Sequence, residues 1–165
     1  MTTRATLRLE EQLCFALYSA SRVFTRAYAP LLAEIGLTYP QYVAMLALWE
    51  HDDVSVSELG ERLTLDSGTL TPLLKRLEEA GLVTRTRSDE DERVVRITLT
   101  RAGKKLEARA AEIPTSLACR AGYAPTREGL AQLGQLRDAL KDITKTLQAT
   151  LEPQAPAPKP RAARA

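Results

Sequence analysis

The chain has 165 residues, a 44% apolar fraction and eight glycines, which fits one helix-rich globular domain with appended helices. No apolar run approaches the ~18 residues of a membrane span, and no secretory signal opens the sequence, so a cytoplasmic protein without membrane contact is expected. The net charge of +2 depends on Lys159, Arg161 and Arg164; without those three it is −1, so overall charge does not by itself argue for nucleic acid and only local placement can.

Two cysteines, Cys14 and Cys119, stand 105 residues apart, and His51 is the single histidine. These exclude a metal site of ordinary ligand spacing, and no cofactor is expected.

Residues 1–8 read as a polar leader. A first long helix is expected from Glu10 to about Tyr28, apolar at Leu9, Leu13, Leu17, Ala20, Phe24 and Ala27. Cys14 lies beside that face, near Leu17 and Tyr18, so half coverage is expected. Pro30 to Gly36 holds a helical turn. A second helix begins at Leu37-Thr38-Tyr39-Pro40 with Pro40 in its first position. It runs to about Trp49, with Val43, Leu46 and Trp49 turned inward. His51 to Val54 is a connection in which His51 is solvated.

Residues 55–99 carry the most informative pattern. Ser55 and Glu58 form a capping box, and Leu59 and Leu63 supply an inner face. After a break at Leu65–Gly68, with Asp66 or Ser67 as cap, a second helix repeats Leu70, Leu73, Leu74 and Leu77. Its opposite face offers Gly68, Thr71, Pro72, Lys75 and Arg76. Pro72 fits either a helix begun near Asp66 or a shorter one capped by Thr71; the longer is favoured. Gly81 stops the helix.

Val83–Arg87 and Arg93–Leu99 then form a hairpin, with Val95, Ile97 and Leu99 on a buried face. Arg85, Arg87, Arg93 and Arg96 stand on its strands, around an acidic tip at Ser88–Glu92 that DNA would repel. Helix, turn, helix and hairpin in that order make a winged helix-turn-helix, which places its second helix in the DNA major groove. Candidate DNA contacts are Ser67, Thr69, Thr71, Lys75 and Arg76 from the helix, and Arg85, Arg87 and Arg93 from the hairpin.

Thr100 caps a further helix, expected from Arg101 to about Arg120 with a kink at Pro114. Ala121 to Pro125 is a loop. The last helix begins at Thr126, and its Leu133, Leu136, Leu140, Ile143 and Leu147 recur at alternating spacings of three and four, a coiled-coil-like seam. Residues 151–165, rich in Pro, Ala and Arg, are expected to form a disordered tail.

The expected fold is therefore mainly α with a β-hairpin wing. A DNA-binding lobe at about 38–100 lies within a 9–150 domain, and the helices at about 9–35 and 101–150 form a dimerisation region. Long apolar helices at both ends need more cover than the lobe supplies. A homodimer on a pseudo-palindromic double-stranded operator meets that need.

Over roughly residues 9–150 the chain resembles the MarR family of dimeric transcriptional regulators, and within it the organic hydroperoxide sensor branch, OhrR. The resemblance is carried by Leu13-Cys14-Phe15-Ala16-Leu17-Tyr18, by Leu37-Thr38-Tyr39-Pro40-Gln41-Tyr42, by the string from Leu65 to Leu77 (LDSGTLTPLLKRL), and by Asp91-Glu92-Arg93 in the wing. It implies a repressor in which Cys14 is the sensing thiol and Tyr28 and Tyr39 hydrogen-bond it. It further implies that Cys119 resolves the oxidised thiol as an intersubunit disulfide, releasing DNA. Spacing adds an independent constraint: Cys14 and Tyr28 are 14 residues apart, about 21 Å on one unbroken helix, so any contact must cross subunits. Where the wider family often has Arg in the wing this chain has Glu90, which turns attention to Arg93, held by Asp91.

Two other readings remain open on the residues. One is a MarR-type regulator released by a noncovalent aromatic ligand, with both cysteines inert. The other, a thiol peroxidase using Cys14, leaves the helix-turn-helix without a purpose, so no enzyme is expected.

Overall fold

A computed structural model of the chain describes residues 7–88 and 91–151. The expected leader at 1–8, the hairpin tip and the tail at 151–165 lie wholly or partly outside these residues. The chain divides into two compact units, Met1–Leu117 and Ala118–Ala165.

In the first unit a 3-10 turn, Leu9–Glu11, precedes α1, Leu13–Ala33. This helix corrects the sequence expectation at both ends. It starts three residues later than Glu10, and it runs through Pro30 instead of stopping at Tyr28. Pro30 forfeits one backbone bond, but Leu31 and Leu32 beyond it are buried, and that packing carries the helix on. Gly36, at φ +75°, makes the stop.

α2, Tyr39–Glu50, has Pro40 in its first turn, and the Thr38 N–H donates to Gln41 Oε1 at 2.8 Å. It buries Tyr42, Ala44, Met45, Ala47 and Leu48, while Leu46 is exposed and Val43 and Trp49 are half-buried. The expected inward stripe was therefore misplaced. The helix is apolar nearly all round, so periodicity could not orient it.

The capping box at Ser55 opens α3, Val56–Leu63, with Glu58 N–H donating to Ser55 Oγ at 3.1 Å and Ser55 N–H to Glu58 Oε2 at 2.7 Å. Thr64 ends it in a left-handed conformation, φ 54°. Gly60 is required at this corner, since a Cβ there would lie 2.9 Å from the Leu65 carbonyl oxygen. α4, Ser67–Glu79, takes the longer alternative and holds Pro72 inside it. Leu70, Leu73, Leu74 and Leu77 are buried as the pattern predicts.

The wing is a three-stranded sheet, not a two-stranded hairpin. β1, Val54–Ser55, pairs antiparallel with β3, Val95–Leu99, which pairs antiparallel with β2, Val83–Arg87. Val54 stands opposite Ile97, and Val83 opposite Leu99. A two-residue strand is too short for its alternation to register in sequence.

Beyond the wing, Thr100 Oγ1 accepts from Gly103 N–H at 3.0 Å and caps α5, Arg101–Ala110. At Gly103 a Cβ would collide with the Leu82 carbonyl oxygen, so glycine lets α5 meet the start of β2. The single kinked helix expected to Arg120 is two helices. α6, Ile113–Arg120, starts afresh with Pro114 in its first turn, where no intrahelical N–H is lost.

The core joins Leu32, Tyr42, Met45 and Leu48 to Leu59, Leu70, Leu74, Leu77, Val83 and Ile97. In the second unit Thr126 Oγ1 accepts from Gly129 N–H at 3.2 Å, opening α7, Arg127–Leu151. Its Leu136, Leu140, Ile143 and Leu147 are exposed.

Candidate functional site

The outer face of α4 is built by its cap and its buried stripe. Asp66 Oδ1 accepts from Thr69 N–H at 2.9 Å, and Thr69 Oγ1 donates to Asp66 Oδ2 at 3.0 Å. These bonds hold the Asp66 carboxyl below its ordinary range, the Thr69 backbone N–H first. Leucines anchor the other side, so Ser67, Thr69, Thr71, Lys75 and Arg76 all face outward. Thr69 is partly committed to the cap, and Lys75 lies 3.8 Å from Glu79.

The wing cations differ in disposition. Arg93 has a 91% exposed side chain and is steadied by Asp91, with Nε to Oδ1 at 3.1 Å and Nη2 to Oδ2 at 3.3 Å. That is the pairing expected from sequence. It lowers the Asp91 carboxyl, through the Arg93 side chain and then its backbone N–H. Arg87 is exposed on β2. Arg85 is half-buried, with its guanidinium 3.8 Å from Glu78. Arg96 serves the scaffold: its Nε donates to Asp53 Oδ1 at 2.7 Å and its Nη2 to the Asp53 carbonyl, tying β3 to the chain entering β1.

The presentation of this face rests on five further ties. Arg62 donates to the Ala47 carbonyl at 3.1 Å and to Glu50 at 2.6 Å, locking α3 to α2. Trp49 Nε1 donates to the Gly103 carbonyl at 2.9 Å. Asp52 accepts from Leu99 N–H at 2.7 Å and meets Lys104 at 2.9 Å.

The thiols lie on other elements, Cys14 on α1 and Cys119 on α6. Cys14 is exposed, not half-covered as expected, because Leu17 and Tyr18 beside it are themselves exposed. The late start of α1 puts Cys14 in the first turn, whose amide N–H groups lack intrahelical acceptors and carry the positive end of the helix dipole. Tyr18, one turn on, carries the Arg22 guanidinium 5.5 Å from its ring centroid. Cys119, in α6, is also exposed.

Tyr28 lies far up the same unbroken helix as Cys14. Its ring centroid is 5.1 Å from that of Tyr39 and 5.7 Å from those of Tyr42 and Phe24. Tyr42 continues to Trp49 at 6.4 Å. Burial, then the neighbouring Tyr42 and Tyr39 phenols, pushes Tyr28 up to about 12, so it stays a protonated donor. Burial and Tyr39 raise Tyr42 likewise.

Tyr42 was absent from the sequence-based candidates, although its place three residues after Tyr39 sets it on the same helix face. It is 1% exposed, and its Oη finds no hydrogen-bond partner among the described residues. Beside it a groove of about 310 Å³ is lined by Leu46, Trp49, Ala110 and Pro114, with Glu50 and Glu107. Among the described residues no three His, Cys, Asp or Glu side chains converge to hold a metal.

The family model described as Transcriptional regulator SarA/Rot matches residues 26–109. The organic hydroperoxide resistance transcriptional regulator of Bacillus subtilis (strain 168) is 48% identical over 141 residues, spanning 86% of this chain and 92% of that protein. The chain belongs to the MarR/SarA family of transcriptional regulators, in its organic hydroperoxide (OhrR-type) branch. These proteins are regulators and not enzymes.

Solved structures of AbfR, a Staphylococcus epidermidis protein, extend the likeness to the winged helix fold. Reduced AbfR bound to DNA is 35% identical at a TM-score of 0.75, covering 88% of this chain and 96% of that one. Disulfide-formed AbfR is 36% identical at 0.62, covering 87% and 94%. No described helix is long and apolar enough to cross a membrane.

Proposed function

We propose that the chain is a homodimeric repressor that binds a pseudo-palindromic DNA operator through α4 and the wing and releases it when an organic hydroperoxide oxidises Cys14. The observation that carries this reading is the continuity of α1. Cys14 and Tyr28 occupy one unbroken helix, about 21 Å apart, while Tyr28 and Tyr39 are in ring contact. A tyrosine pair of one subunit can therefore serve only the partner's Cys14. The exposed apolar residues of α1 and α7 supply surfaces for such a dimer.

The chemistry follows from those groups. Phenol O–H donors and the first turn of α1 stabilise the Cys14 thiolate. The thiolate attacks the terminal peroxide oxygen, the O–O bond breaks, and the alkoxide leaves as the alcohol after taking a proton. Cys14 becomes a sulfenic acid. The Cys119 thiol of the partner subunit then displaces water, giving an intersubunit disulfide. The groove beside Tyr42 is apolar enough to receive the organic group. Existence of a disulfide form of AbfR supports the last step. Two such links shift the α4 helices of the dimer relative to each other and spoil their match to successive major grooves.

The experiment is operator release. Organic hydroperoxide is expected to free DNA from the wild-type protein and to leave it bound by Cys14→Ser. Normal release by Cys14→Ser overturns the sensing role.

A further inference from the structure

A second groove, of about 470 Å³, lies where the segments that follow α1 and α4 meet one face of α5. Its apolar surface comes from Ile35, Leu82 and Leu106, with the small side chain of Ala102 leaving it open, and no aromatic ring lines it. Lys105 and Arg109 also line it. They stand four residues apart, on one face of α5.

Neither cation makes an ion pair among the described residues. Arg109 donates to the Glu34 carbonyl at 2.6 Å, and this bond leaves its charge uncancelled. The nearest acidic residues of α4 are engaged elsewhere: Glu78 with Arg85 and Glu79 with Lys75. An aliphatic surface under two uncancelled cations is complementary to a molecule with a hydrocarbon chain and one carboxylate. The groove beside Tyr42 shares the apolar character but carries the opposite charge, with Glu50 and Glu107 and no cation among its described lining residues.

We infer that this groove is a binding site for an aliphatic carboxylate, with Lys105 and Arg109 holding the carboxylate and Ile35, Leu82 and Leu106 the chain. The site owes nothing to thiol chemistry or to DNA, so it stands or falls apart from the proposed function.

Titration of octanoate into the full-length Cys14→Ser protein, followed by calorimetry, tests it. Saturable binding is expected, about tenfold weaker in Lys105→Gln/Arg109→Gln. Comparable weakening is expected in Ala102→Leu, which fills the groove and keeps both cations. Octylamine, with the same chain and the opposite charge, is expected not to bind. The inference is overturned if octanoate does not bind, if octylamine binds equally, or if both variants bind octanoate as the parent does.

Discussion

Tyr28 illustrates how a single environment serves both stability and the proposed chemistry. Its folded-state value of about 12 lies above the ordinary 10.0, because burial and two neighbouring phenols disfavour the phenolate. Raising a folded-state value makes the contribution to stability complete below pH 10 and lost as pH climbs toward 12. Alkaline unfolding followed by circular dichroism should therefore steepen between those values, and Tyr28→Phe should flatten that part of the profile. An unchanged profile would remove Tyr28 as its source.

The two α4 cations are predicted to act differently from Arg96. Lys75→Ala and Arg76→Ala should weaken operator binding, and loss of a phosphate contact lowers the salt slope by about one. Arg96→Ala should instead lower the unfolding midpoint, because its partner Asp53 anchors β1. Equal affinity and slope in both α4 variants would take those residues out of the interface.

Among the elements, legibility tracked how one-sided each helix is. α4 could be read almost completely, since four leucines alternate with small or polar residues and its cap is an acid. α2 could not be oriented, being apolar on every side. The extent of α1 was misread because proline is a local signal, whereas Leu31 and Leu32 are held by tertiary packing. β1 was invisible because its two residues gain strand identity only from β3.

Gly103 was legible only as a residue, not as a requirement. The α5–β2 approach behind it depends on a carbonyl twenty-one positions earlier in the chain. Gly103→Ala should cost about 3 kcal/mol, a shift visible in denaturant midpoint; a neutral substitution would mean that α5 can move away from Leu82.

On the scale of the whole molecule, the question is what covers the apolar faces. The exposed large residues include Leu13, Leu17, Val23 and Phe24 of α1, and Leu136, Leu140, Ile143 and Leu147 of α7. Covering one half-exposed side chain supplies about 1 kcal/mol, whereas association costs about 4–15 kcal/mol. Four such side chains on each of two subunits supply about 8 kcal/mol per face, within that range, and the two faces together about 16 kcal/mol, so the proposed dimer draws on both. Leu140→Glu with Ile143→Glu should shift sedimentation to the monomer while leaving the Met1–Leu117 unit folded. A variant that stays dimeric would place the interface elsewhere.

The same two faces explain why the sensing site was only half visible in the chain. Motif resemblance named Cys14, Tyr28, Tyr39 and Cys119, and α1 continuity then restricted how they can meet; in the proposed dimer they meet only between two chains. Mixed dimers of Cys14→Ser and Cys119→Ser subunits address that claim most directly. Each such dimer has one Cys14 and one Cys119, on different chains. After treatment with organic hydroperoxide, non-reducing electrophoresis should give a covalent band at twice 18.2 kDa. Only single chains, with Cys14 oxidised and no covalent dimer, would contradict the intersubunit switch.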